Sequence, residues 1–105
     1  MFSLGKSSYE ARLVELLQDN FFKIANRNKI MAKWAAGRLG YRGSEMDHYV
    51  KHLIFSYLTL PSDRKMIDRI LDDFRAANIP LSEKDIREKM RNIESRIRKD
   101  KESTK

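Results

Sequence analysis

The chain of 105 residues contains no cysteine, which excludes a disulfide framework and a thiolate metal site and fits a reducing compartment. It has only two prolines and four glycines, so few positions force the backbone out of regular structure. The glycines occur singly, and none forms part of a Walker-type loop that would cradle a phosphate. Long apolar runs are also missing: the longest is a few residues, against the roughly 20 needed to cross a bilayer. The N-terminus, Met1-Phe2-Ser3-Leu4-Gly5-Lys6, has no basic leader followed by an apolar block, so no secretory signal and a cytoplasmic location are expected.

What the chain does have is apolar residues at 41% and charged residues at 35%, enough for one core inside a heavily solvated exterior. Its length fits a single helical domain spanning 1–105. The net charge of +7 raises a polyanionic partner as a candidate. The excess is +5 over residues 1–43 and +3 over 83–105, around a middle of −1.

Apolar residues recurring at three and four residue intervals predict helix throughout. A first helix runs from about Ser8 to Leu39, with Leu13, Leu16, Leu17, Ile24, Met31, Trp34 and Ala35 on one stripe. Gly40 closes it in a left-handed conformation. A second helix begins at Ser44 as a capping residue with Asp47 completing the box, buries Met46, Val50, Leu53 and Tyr57, and ends before Pro61. Ser62 caps a third helix whose inner face is Ile67, Ile70, Leu71 and Phe74. It breaks near Asn78 to Pro80. Ser82 with Asp85 forms the clearest capping box, and Leu81 and Ile86 flank it as a staple. The stripe of that fourth helix is Ile86, Met90, Ile93 and Ile97, and the charged tail 98–105 is expected to fray.

These segments predict an all-α fold, a four-helix bundle with a long first helix. A helix of about 32 residues would reach about 48 Å, roughly twice its neighbours of 14 to 17 residues. Part of it must overhang or bend. Trp34, Ala35, Ala36 and Leu39 mark the packed half, which leaves residues 1–20 as a mobile partner-binding segment and 21–97 as the bundle.

No constellation points to catalysis. His48 and His52 stand at the spacing of a two-imidazole metal site, but they face away from the apolar stripe without a third ligand, and a solvated face is the better reading. Asp68, Asp72 and Asp73 are interleaved with Arg64, Lys65, Arg69 and Arg75, the pattern of surface ion pairs. Asn28 lies inside the apolar stripe, where it must be paired by a neighbouring helix, sit at the bundle's edge or meet a ligand. Phe22 shares a polar face with Asn26, Lys29 and Lys33 and combines an anchor with steering charge.

The stretch Asn26-Arg27-Asn28-Lys29-Ile30-Met31-Ala32-Lys33-Trp34-Ala35-Ala36-Gly37-Arg38-Leu39-Gly40 closely resembles the RNK-x-x-x-x-WAA-x-x-LG signature of the zeta-subunit family of alphaproteobacterial F-type ATP synthases. Phe21 matches a family phenylalanine, and Tyr9-Glu10-Ala11-Arg12-Leu13-Val14 is similar to the family's F-E-x-K-F-A. Asp73-Phe74 and Ser82 with Ile86-Arg87-Glu88-Lys89-Met90 resemble later family motifs, so the likeness covers roughly residues 9–97. The resemblance implies a four-helix bundle that binds the catalytic head of the synthase and blocks ATP hydrolysis through its N-terminal helical segment.

Carried over by residue, the resemblance makes Tyr9, Glu10, Arg12 and Leu13 contacts with that partner. The helical stripe and the exposed face add Leu16, Leu17, Phe21, Phe22, Lys29 and Lys33. Some family members bind adenine nucleotide in the bundle; this transfers only weakly to a chain without a phosphate cradle, and no cofactor is expected. The family's acidic start and H-D-E-E-L run are replaced here by Leu4-Gly5-Lys6-Ser7-Ser8 and Glu15-Leu16-Leu17-Gln18-Asp19, and a basic chain stands where typical members are acidic. A basic nucleic-acid-binding module and a diverged member without inhibition are the alternatives.

Overall fold

The computed structural model describes residues 8–103, with side chains described for residues 9–100. It contains four helices: α1, Ser8–Arg38; α2, Ser44–Thr59; α3, Asp63–Ala76; and α4, Glu83–Ser103. The all-α arrangement with a long first helix is the one expected. The fourth helix departs from expectation, since its 21 residues exceed the predicted range and it continues through the charged tail to Ser103. Residues 104 and 105 lie outside the described residues.

The turns follow from local chemistry. At the end of α1 the amide of Tyr41 donates to the carbonyl of Ala36 at 2.9 Å and that of Gly40 to Gly37 at 3.1 Å, with Gly40 at φ 85°. This doubly bonded closure needs a left-handed residue, which glycine supplies without a Cβ clash. Asn78, at φ 58°, does the same for α3, where Ile79 donates to Phe74 at 2.8 Å. Ser62 caps α3 by accepting from the amide of Lys65 at 3.1 Å. The box at α4 is complete: Asp85 accepts from the Ser82 amide at 2.8 Å, and Ser82 Oγ accepts from the Asp85 amide at 3.3 Å.

The expected Ser44 cap is a correction. Gly43, at φ 59°, holds the capping position of α2 and offers no side-chain acceptor, so Ser44 is already inside the helix and its hydroxyl caps nothing. The backbone there takes a conformation open to glycine, which moves the helix start by one residue.

The core draws on all four helices. Met31, Ala32, Ala35 and Ala36 of α1 are fully buried, as are Phe74 and Ile70 of α3 and Ile86 of α4, with Leu53 of α2 nearly so. Alanines at three of these α1 positions let the neighbouring helices approach closely. Tyr49 and Met66 are also buried, although the apolar stripes of the sequence did not include them. Trp34 is half-buried rather than enclosed, with its ring edge-on to Phe74 at 5.5 Å between centroids and Lys89 over its face at 5.8 Å.

The pairings of Trp34 with Lys89, of Arg27 with Glu94, and of Lys23 and Ile24 with Ile97 and Arg98 around one hollow set α4 antiparallel to α1. Those pairings end near Lys23. With 31 residues, α1 is about 46 Å long, and its first half projects past the packed region.

Candidate functional site

The site begins as a change of environment along one helical stripe. On the wheel, Tyr9, Leu13, Leu16, Leu17 and Ile24 lie in line with Arg27, Met31 and Ala35. Met31 and Ala35 are fully enclosed, whereas Tyr9, Leu13, Leu16, Leu17, Phe21 and Phe22 are each at least 44% exposed. The same periodicity that builds a core at one end of α1 presents an unpartnered apolar face at the other.

An isolated helix of about 12 to 15 residues is marginal in water. Residues 9–22 hold helical form as a continuation of the packed half, which has already met the cost of nucleation. Local support is modest: Lys23 pairs with Asp19 at 3.5 Å one turn away, worth a few tenths of a kcal/mol. Phe21 and Phe22 meet edge-on with centroids 6.0 Å apart, linking the stripe to the face that carries Lys29 and Lys33. Both lysines are exposed, as are Arg12 and Asn26, while Glu10 is partly buried. Of the segment 1–20 read as partner-binding, residues 1–7 lie outside the described residues.

Where the stripe enters the bundle it meets Arg27, only 5% exposed. The guanidinium has five N–H donors, and each has an acceptor. Nε and Nη2 donate to Asn28 Oδ1 at 3.1 and 2.9 Å, Nη2 and Nη1 donate to the two carboxylate oxygens of Asp63 at 2.6 and 3.2 Å, and Nη1 donates to Glu94 at 3.1 Å. Tyr57 donates to Asp63 at 2.9 Å and lies under the guanidinium, 5.9 Å from its ring centroid. One side chain of α1 therefore ties together α2, α3 and α4.

The electrostatics follow from that geometry. Burial by itself would lower the pKa of Arg27, but the hydrogen bonds to Asp63 and Glu94 outweigh it and the net displacement is upward. Burial would raise Asp63, yet the bonds from Arg27 and Tyr57 prevail and hold its carboxyl below the usual range. Burial and the bond to Asp63 together push the Tyr57 phenol up.

Asn28 is paired as the stripe required, though by Arg27 of its own helix and not across to another. Arg27 itself was passed over as a functional or structural centre, although it stands inside the quoted N-R-N-K motif. The apolar stripe counts Tyr57 only as a core-facing residue, and the sequence pattern does not single out Glu94.

Beside this cluster, Lys23, Arg91 and Arg98 line a hollow of about 430 Å³ with Arg27 and Glu94, a place where cations could hold an anion. His48 and His52 are both exposed, and among the described residues no group of three His, Cys, Asp or Glu side chains is placed to hold a metal. Asp68 and Asp73 pair with Arg64 at 3.4 Å and Arg69 at 3.1 Å, each one turn away, as the interleaving predicted.

A family profile described as ATPase inhibitor subunit zeta matches residues 2–100. The chain belongs to the ATPase inhibitor subunit zeta family. That match takes in α1, α2, α3 and all but the last turn of α4, so both the overhanging stripe and the Arg27 cluster fall inside it. No curated protein and no solved structure matches the chain. Membership of the zeta family is consistent with a regulatory role at the ATP synthase, and among the described residues no helix is long and apolar enough to cross a membrane.

Proposed function

We propose that this zeta-family chain binds the catalytic head of the F-type ATP synthase and inhibits ATP hydrolysis through the N-terminal half of α1. The observation that carries the reading is the exposed run of Tyr9, Leu13, Leu16, Leu17 and Phe21 on a helix whose other half is anchored in a bundle. A helix with apolar anchors at such spacing docks in a groove.

The inhibition is mechanical, and the chain makes and breaks no bond. A helix seated between subunits obstructs closure of a catalytic site, which requires that it bind one state of the rotary cycle more tightly than the others. Leu13, Leu16 and Leu17 supply apolar contact, Tyr9 and Phe21 supply aromatic anchors, and Glu10 and Arg12 set register by charge. Phe22, Lys29 and Lys33 form a second contact on the adjoining face. The bundle holds the far end of α1 so that the projecting half enters as a continuous helix.

The test removes residues 1–19. The buried positions of α1, from Arg27 to Ala36, remain, so circular dichroism should still report a folded helical protein. Hydrolysis by purified synthase, titrated with both forms, should be inhibited by the full chain alone. Equal inhibition by both forms would move the active surface to Phe22, Lys29 and Lys33, and no inhibition by either would favour a diverged member. Binding that collapses steeply as salt rises would instead support a nucleic-acid role.

A further inference from the structure

A second apolar surface lies on α2, beyond the reading just given for α1. After Ile30, the large apolar side chains that stand exposed among the described residues are Phe55, Leu58 and Leu60. The inner face of α2 is committed to the core through Val50 and Leu53. Its outer face repeats His48, Lys51, Phe55 and Leu58 at intervals of three and four residues. That is the spacing by which one helix receives another, and no described residue of this chain covers Phe55 or Leu58.

Phe55 stands as a ridge between two hollows. One, of about 350 Å³, lies over Leu60 and Met66 toward α3. The other, a shallower and more open depression of about 610 Å³, runs along Ile54 and Leu58 beside His48 and His52. A ridge with a hollow on each side takes the side chains of a helix lying across it, whereas a bilayer surface would meet only the ridge.

The charges select the occupant further. Neither hollow has a carboxylate in its lining, while Lys51 lines one and Lys65 and Arg69 line the other. Arg69 donates to Asp73, but Lys51 and Lys65 have no ion-pair partner among the described residues. The nearest carboxylates of α2 itself, Glu45 and Asp47, lie in its first turn, at the end away from Phe55.

We propose that the outer face of α2 is a docking site for an acidic amphipathic helix of a protein partner, with Phe55 and Leu58 as apolar anchors and Lys51 and Lys65 as flanking cations. No residue of α1 lines either hollow, so a helix bound here does not use the exposed stripe of α1. The chain thus carries two contacts that can engage different partner segments at once, and the second raises the effective concentration of the first.

The experiment uses the full chain and a labelled, helix-stapled peptide of about three to four turns. The peptide has leucines along one face and flanking glutamates, and its counterpart has lysines in place of the glutamates. Fluorescence anisotropy should show the acidic peptide binding at least about tenfold more tightly than the basic one. Phe55→Ser with Leu58→Ser should weaken it by at least about tenfold with thermal melting unchanged, since both side chains are exposed. Lys51→Glu with Lys65→Glu should reverse the preference between the two peptides.

Equal binding of both peptides, no binding of either, or indifference to the Phe55 and Leu58 substitutions would overturn the proposal. So would a Phe55-dependent dimer in sedimentation, or Phe55-dependent capture by phosphatidylserine-containing vesicles in the absence of acidic-peptide binding. Because no readout involves ATP hydrolysis, failure here is distinguishable from failure of the inhibitor reading.

Discussion

Arg27 and Asp63 are 36 residues apart in sequence, yet the guanidinium of one meets the carboxylate of the other through two hydrogen bonds, at 2.6 and 3.2 Å. The arginine is 6% exposed at its side chain and the aspartate 47%, so the pair is buried on one side and open on the other. Asp63 opens α3, where its negative charge also faces the positive end of the helix. This pair joins α1 to the start of α3, while Trp34 and Phe74 join the two helices again toward the end of α3.

Arg27→Ala should destabilise the bundle by about 1 to 3 kcal/mol, below the range for stranding a buried charge, because the carboxylates left behind are nearly half exposed and can reach water. Urea denaturation followed by circular dichroism measures it. Arg27→Lys retains the charge but replaces five donors in a planar fork by three on one nitrogen, losing the paired bonds to Asn28 and Asp63, so it should fall between wild type and alanine. Equality of Lys with wild type would show that charge alone matters.

Acid should weaken the fold through Asp63. Its carboxyl is held below the ordinary range, since the bonds from Arg27 and Tyr57 outweigh burial. The stabilisation is therefore fully present above the unfolded value of about 4 and is lost as pH falls through the lower folded value. Urea midpoints taken from neutral pH down to about pH 3 should decline more steeply in wild type than in Asp63→Asn. Parallel curves would assign the acid sensitivity to other carboxylates.

Truncating Phe74 should cost more than truncating Trp34, despite the larger indole. Phe74 is completely enclosed, and removing such a ring costs about 3 to 5 kcal/mol. Trp34 is half-buried, so about 2 to 3 kcal/mol is expected from the smaller burial. Matched thermal melts of the two alanine variants decide the order, and a reversed order would place the indole deeper than its packing indicates.

Two serines at helix starts, Ser44 at α2 and Ser82 at α4, should behave differently. Ser82→Ala removes the acceptor for the Asp85 amide and one donor to the Asp85 carboxylate, and should cost about 1 kcal/mol. Ser44→Ala should change stability by less than about 0.5 kcal/mol, because that hydroxyl caps nothing. The pair of melting curves tests the placement of both caps at once.

The contrast between these serines shows how much was legible in the sequence. Ser62 and Ser82 were readable because their side chains do what their type favours at a helix start. At Ser44 the preceding glycine prevailed, as its positive φ moved the cap to Gly43, and a residue pattern does not reveal a backbone angle. The apolar stripes of α3 and α4 gave their inner faces correctly, and α1 could be divided into an exposed and a buried half from helix lengths alone.

Arg27 was hidden for a different reason. Hydrophobic periodicity counts an arginine as solvent-facing, and its burial depends on Asp63 and Glu94, whose positions are set only once the helices pack. Its adjacency to Asn28, a polar residue inside an apolar stripe, was the available signal. A polar break that needs a partner is a reason to examine its charged neighbour.

The spread of the Arg27 cluster along the chain also has a consequence for the order of synthesis. A polypeptide emerging N-terminus first presents α1 and α2 complete before either carboxylate acceptor exists, then Asp63, and Glu94 only 67 residues after the arginine. Until then the guanidinium is better served by water than by a closed bundle, so early helices that pack do so without sealing this position. The last quarter of the chain decides when the middle of its first helix is withdrawn from solvent.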